Sequence, residues 1–282
     1  MITKLTTAVF AICISVYCNT AYAQSIPSIS SVKTTLADGQ TLPLANKIAF
    51  EWHANNSQKV IEQFEEHAHI QLSQIADGRL EMFVSQWTNS AGEFLPRHKA
   101  DSFVIDISEK STQAFVAGFN SKHTQPIELH QLTSYVANYI DKPTYIHGFN
   151  FASKVANQRS GDCTEYAVLT TALARSLDLP ARVMIGIVIV EETDKVQAFG
   201  HAWAEIWQQG HWQIADAALL NSAAQQHFYL PTGEITNEGP GYAMSLFRSV
   251  TLMPSEISNL RTVKVTTTGA EKPRQIRFSR SF

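Results

Sequence analysis

The sequence is short of cysteine. Three stand among 282 residues, at Cys13, Cys18 and Cys163. Disulfide-built secreted scaffolds are thereby excluded, since they use cysteines densely and in pairs. It also lacks an apolar run of the ~18–20 residues needed to cross a bilayer. No internal repeat appears, which excludes solenoids. There is no excess of one charge: 22 basic against 25 acidic residues give a net charge of −3. That balance offers no electrostatic footprint for nucleic acid or an anionic membrane. The hydrophobic fraction of 44% is that of a globular protein with a real core.

The N-terminus reads as a secretory signal over residues 1–23. Lys4 supplies the positive end, Leu5 to Tyr17 the apolar stretch, and Ala21-Tyr22-Ala23 the small-x-small cleavage site. Cleavage near Ala23-Gln24 predicts a periplasmic or secreted protein with no transmembrane segment. Tyr17 is bulky where a lipoprotein signal requires a small residue before Cys18. Cleavage removes Cys13, Cys18 and Lys4, leaving 21 basic against 25 acidic residues and one cysteine, Cys163. An unpaired thiol outside the cytoplasm is either reactive or inert and buried.

Three segments follow the leader. Residues 24–115 form a mixed α/β region of unknown role. Within it, Gln58 to Ile75 has a helical stripe, and Leu80 to Trp87 and Ser102 to Ile107 read as strands. Residues 116–230 are more regular. A helix opened by Pro126 carries Leu129, Leu132, Tyr135, Val136, Tyr139 and Ile140, and Phe151 to Gln158 forms a second. Asp162 caps a third from Cys163 to Leu177. Strands are expected over Arg182–Val190, Gln197–Trp207 and Trp212–Asp216. Residues 231–282 form an extension with a closing strand near Leu260–Val265 and a mobile basic tail.

Cys163 falls in the first turn of its helix, where free N–H groups and the helix dipole stabilise a thiolate. Asp162 opposes that effect, so a base is required. His201 is the best one available, and a thiol–imidazole pair is a strong nucleophile. Asp216 is the candidate to orient the ring. A hairpin with an even loop, Gln209-Gly210 or Gln208 to His211, sets Trp207 opposite Trp212 and Glu205 opposite Ile214. His201 is then the diagonal neighbour of Asp216 on one face; an odd loop would separate them.

Gly161-Asp-Cys-Thr-Glu-Tyr-Ala-Val-Leu169, Ala174 to Val183, His201-Ala-Trp-Ala-Glu-Ile-Trp207 and Trp212-Gln-Ile-Ala-Asp216 together resemble the bacterial transglutaminase-like superfamily over about 126–220. The resemblance implies an α+β, papain-like core, with a cysteine-bearing helix packed on an antiparallel sheet. It makes 116–230 the catalytic domain, with Cys163 as nucleophile, His201 as general base and acid, and Asp216 as orienting group. One departure is that Ala217-Ala218 stands where Pro-Thr is common. The implied activity is acyl transfer on amide bonds through a thioester, ending in protease-like hydrolysis or transfer to an amine. The expected partner is a protein or peptide of the cell envelope. No cofactor or metal is expected: His67 and His69, two apart on a helix, would face away from each other. The competing function is a non-catalytic scaffold or binding module on the same fold.

Overall fold

The computed structural model describes residues 30–263, except 66, 87–89, 91, 145–148, 243, 246 and 248–250. The leader, Trp87 and the basic tail lie outside the described residues.

In chain order the elements are β1 (Ser30–Leu36), β2 (Lys47–His53), α1 (Ser57–Phe64), β3 (Ile70–Ala76), β4 (Arg79–Ser85), α2 (Lys110–Asn120) and α3 (Leu129–Tyr139). There follow β5 (Lys142–Pro143), α4 (Ala152–Gln158), β6 (Ser160–Gly161) and α5 (Cys163–Ser176). Last come β7 (Ala181–Glu191), β8 (Val196–Gln208), β9 (His211–Ala215), β10 (Gln226–Glu234) and β11 (Glu256–Thr262). The fold is α+β, as expected. A nine-stranded sheet runs β10-β7-β8-β1-β11-β2-β4-β3, with β9 also on β8. All its pairings are antiparallel except β1 with β11.

The 13 residues of β8 organise the site. One edge pairs along its length with β7. Near its start β8 also pairs with β1, and near its end with β9. Ala202, Ala204 and Ile206 share apolar clusters with α5. Small residues there let the helix approach closely. Helix α5 is buried from Cys163 to Arg175 on every side, the mark of a helix enclosed within a core. Gly186 on β7 lets β10 and the Trp203 ring come close: a Cβ there would lie 2.2 Å from the Leu230 carbonyl and 2.9 Å from the Trp203 ring.

Three local expectations are corrected. The helical stripe from Gln58 ends at Phe64, and Ile70–Ala76 is a strand paired with β4. Asp77-Gly78, with Gly78 at φ 68°, turns the chain into a hairpin that outweighs the helical spacing. His67 and His69 therefore lie beyond the helix. Ser102–Ile107 is a series of turns, because Asp101 and Ser102 accept the N–H groups of Ile107 (2.8 Å) and Ile105 (2.9 Å) and curl the backbone locally. Helix α3 begins at Leu129 rather than Pro126. Glu128 is its cap, and its N–H donates to the Gln131 side chain at 3.0 Å.

Candidate active site

The start of α5 is built from acidic groups. Asp162 caps the helix, accepting the Thr164 N–H at 2.9 Å and hydroxyl at 2.7 Å. Glu165 reaches back to accept the Asp162 N–H at 2.9 Å, a reciprocal capping arrangement. Its other oxygen accepts the Asn150 N–H at 2.8 Å, tying the preceding loop to the helix. Gly161 must be glycine, since a Cβ would meet Glu165 at 2.2 Å. Burial, followed by the hydrogen bond and charge of Asp162, pushes the Glu165 carboxyl up to about 7.

Cys163 is the first residue of α5 and has no solvent exposure. Its thiol is pushed well above its ordinary pKa, first by burial and then by the charge of Asp162, with Asp216 and Glu165 adding to it. The expected helix-terminus stabilisation of a thiolate is thus outweighed, and the resting sulfur is a neutral thiol. One interaction works the other way. The backbone N–H of Ala202 hydrogen-bonds the sulfur, bringing the helix start against β8 beside His201.

The β8–β9 hairpin has the even loop that was expected. Gln209 (φ 57°) and Gly210 (φ 84°) form the turn, and Trp207 faces Trp212 while Glu205 faces Ile214. His201 Nε2 meets Asp216 Oδ2 at 2.8 Å, with the histidine fully buried. The Trp203 ring lies nearly parallel to the imidazole, 6.2 Å between centroids. Asp216 also accepts the N–H groups of Ala218 (3.1 Å) and Leu219 (3.2 Å) and the Tyr229 hydroxyl (2.8 Å). Burial alone would raise its pKa. The charge of His201 and the hydrogen bonds from His201 and Tyr229 outweigh burial and hold the carboxyl below the usual range. An ionised Asp216 can only accept, so His201 Nε2 carries the proton of that bond. His201 Nδ1 is buried with no hydrogen-bond partner among the described residues.

The site is closed. Cys163 shares an apolar cluster with Phe149, Ile235 and, at its edge, Tyr242. Phe149 and Tyr242 stack at 4.9 Å, and the Tyr242 hydroxyl donates to the Phe149 carbonyl at 2.7 Å. The segment bearing Ile235 and Tyr242 is clamped by Arg175, which donates to Glu238 at 2.6 and 2.7 Å. Sequence reasoning missed Glu165, Tyr229 and Tyr242. Only Glu165 had a local signal, the Asp-x-x-Glu capping pattern from Asp162. Among the described residues no cluster of three or more His, Cys, Asp or Glu side chains could hold a metal. No described helix is long and apolar enough to cross a membrane.

The sequence from 113 to 217 matches the model described as the transglutaminase-like superfamily core. The matched segment is similar to that superfamily. It runs from α2 through the whole β8–β9 hairpin to the residue after Asp216. No curated protein matches the chain. Among solved structures the chain is similar to a candidate cysteine protease from Cytophaga hutchinsonii, with 14% identity, coverage of 65% of this chain and 77% of that one, and a TM-score of 0.36. It is also similar to the periplasmic domain of TgpA from Pseudomonas aeruginosa, with 20% identity, coverage of 55% and 66%, and a TM-score of 0.36.

Proposed function

We propose that this protein is an exported cysteine acyl-transfer enzyme acting on amide bonds, with Cys163 as nucleophile, His201 as base and acid, and Asp216 as orienting group. The observation that carries this reading is the polarity of the histidine. Nε2 is committed to Asp216, while Nδ1 stays buried and unpartnered on the residue beside the backbone that holds the Cys163 sulfur. Buried polar atoms without partners are rare and call for an explanation. A base awaiting a proton is one.

The chemistry follows. An amide substrate displaces the cover formed by Phe149 and Tyr242. The thiol proton passes to His201 Nδ1 and the sulfur attacks the carbonyl carbon. The tetrahedral oxyanion forms at the positive end of α5. The imidazolium returns its proton to the departing amine as the C–N bond breaks, leaving a thioester on Cys163. Water or a second amine, deprotonated by His201, then attacks the thioester and restores the thiol. Envelope proteins and peptides are the amides in reach of an exported enzyme.

The complete burial of Cys163 is the one observation favouring a non-catalytic scaffold instead. Screening the mature protein separates the readings. Glutamine-containing proteins would be supplied with a fluorescent primary amine, and peptide libraries with water as acceptor. Amine incorporation identifies a transferase and peptide cleavage a hydrolase; either must vanish in Cys163→Ala. Activity that persists in that variant overturns the assignment of Cys163 as nucleophile, and none on any amide returns the protein to the scaffold reading.

A further inference from the structure

Asp216 carries more hydrogen bonds than the orientation of one imidazole requires. Oδ1 takes two backbone N–H groups, from Ala218 and Leu219. Oδ2 takes His201 Nε2 and, at the same 2.8 Å, the phenol of Tyr229. Tyr229 comes from β10, which reaches β8 only across β7. It is 7% exposed, and its ring stands edge-on to Trp203 at 5.1 Å, the same indole that stacks on His201. Phenol, carboxylate, imidazole and indole thus form one continuous assembly across three strands.

We infer that Tyr229 is a positioning residue that divides the charge of Asp216 Oδ2 between two donors and thereby sets the proton affinity of His201. The inference rests on the assignment of Cys163 and His201 as the working pair. A carboxylate oxygen that satisfies a phenol has less charge to offer an imidazolium. Removing the phenol concentrates that charge on His201 and raises the affinity of the pair for a proton. Burial, and then the adjacent Asp216, keep the Tyr229 hydroxyl protonated and therefore a permanent donor. Other titratable groups face this assembly. His227 of β10 has its ring 6.1 Å from that of Tyr229, with Nε2 buried and unpartnered among the described residues. His130 of α3 lines a cleft of about 570 Å³ together with Asp216, His227 and Tyr229. Cys163, at the start of α5, interacts with the Asp216 charge. None of these donates to Asp216 Oδ2, so Tyr229 is the one whose removal acts directly on the His201 hydrogen bond.

The test is an NMR titration of the mature protein labelled with ¹⁵N-histidine, with the His201 signals assigned by their loss in His201→Ala. Tyr229→Phe keeps the ring and deletes the donor. A hydrogen bond to a charged group is worth enough to move the His201 midpoint up by about one pH unit. The acid limb of Cys163 reactivity moves with it, so reactivity below that limb falls about tenfold. Replacing tyrosine with 3-fluorotyrosine strengthens the donor and moves the midpoint down, and it decides the matter if Tyr229→Phe does not fold. An unchanged midpoint in folded Tyr229→Phe, or shifts of the same sign from both replacements, overturns the inference. If His201→Ala leaves Cys163 reactivity untouched, the acyl-transfer reading falls instead, while the imidazole midpoint still reports on Tyr229.

Discussion

Replacing Glu238 with leucine removes one half of a buried ion pair. The Arg175 side chain has no exposure and that of Glu238 is 11% exposed. Two short charge-assisted bonds join them, at 2.6 and 2.7 Å. The remaining guanidinium donors go to the carbonyls of Ala181 (3.1 and 2.9 Å) and Ala100 (2.9 Å). In Glu238→Leu those carbonyl bonds persist, but the charge is stranded. Breaking a buried pair from one side costs about 3–5 kcal/mol. The partial exposure of Glu238 lets water reach the guanidinium and favours the lower end, about 3 kcal/mol. With a urea m-value of about 2–3 kcal/mol/M, the midpoint of unfolding falls by about 1–1.5 M. The Arg175→Met/Glu238→Leu double variant removes both charges, and its loss should be smaller than the sum of the two single losses by about 2 kcal/mol. Urea titrations of the four proteins provide the measurement. A shift under about 0.3 M in Glu238→Leu, or strict additivity in the cycle, refutes the reasoning.

Two further outcomes are expected. The Glu165 carboxyl, raised to about 7 by burial and by Asp162, binds its proton more tightly in the folded state than in the unfolded one. Its contribution to stability is therefore fully present below the ordinary carboxylate pKa and is lost as pH rises to about 7, a decline of about 3 kcal/mol. Thermal melts from pH 4 to 8 should show that decline in the native protein and a flatter profile in Glu165→Gln; parallel profiles would contradict it. Tyr242→Ala deletes a stacking partner and a hydrogen bond from the apolar cluster that encloses Cys163. Those contacts are worth about 2 kcal/mol. Iodoacetamide should then label Cys163 roughly 30-fold faster, and an unchanged rate would show that Tyr242 does not limit access.

The site was more legible in the sequence than the frame around it. The Cys163 helix declared itself by its cap and continuous apolar content, and the β8–β9 hairpin by alternation around Gln209-Gly210. Register then brought His201 and Asp216 onto one face without any tertiary information. Tyr229 could not be found that way, because it reaches Asp216 across β7 and no local spacing encodes a contact between strands separated by a third. Ser102–Ile107 looks extended in composition but is curled by side-chain oxygens that compete for its N–H groups. Ile70–Ala76 has a helical stripe by accident, and the Gly78 turn decides against it. The closure of the site was also invisible, since Phe149 and Tyr242 lie 93 residues apart in sequence.

The account stands on Cys163 being activated by His201, and acetylation by p-nitrophenyl acetate tests this without knowledge of the natural substrate. The mature protein and His201→Ala would be followed by p-nitrophenol release and by peptide mass spectrometry. The account predicts a burst approaching one acetyl group per chain, located on Cys163 and slowed by about 10²-fold or more in His201→Ala. Acetylation of Cys163 at equal rates in the two proteins would contradict it.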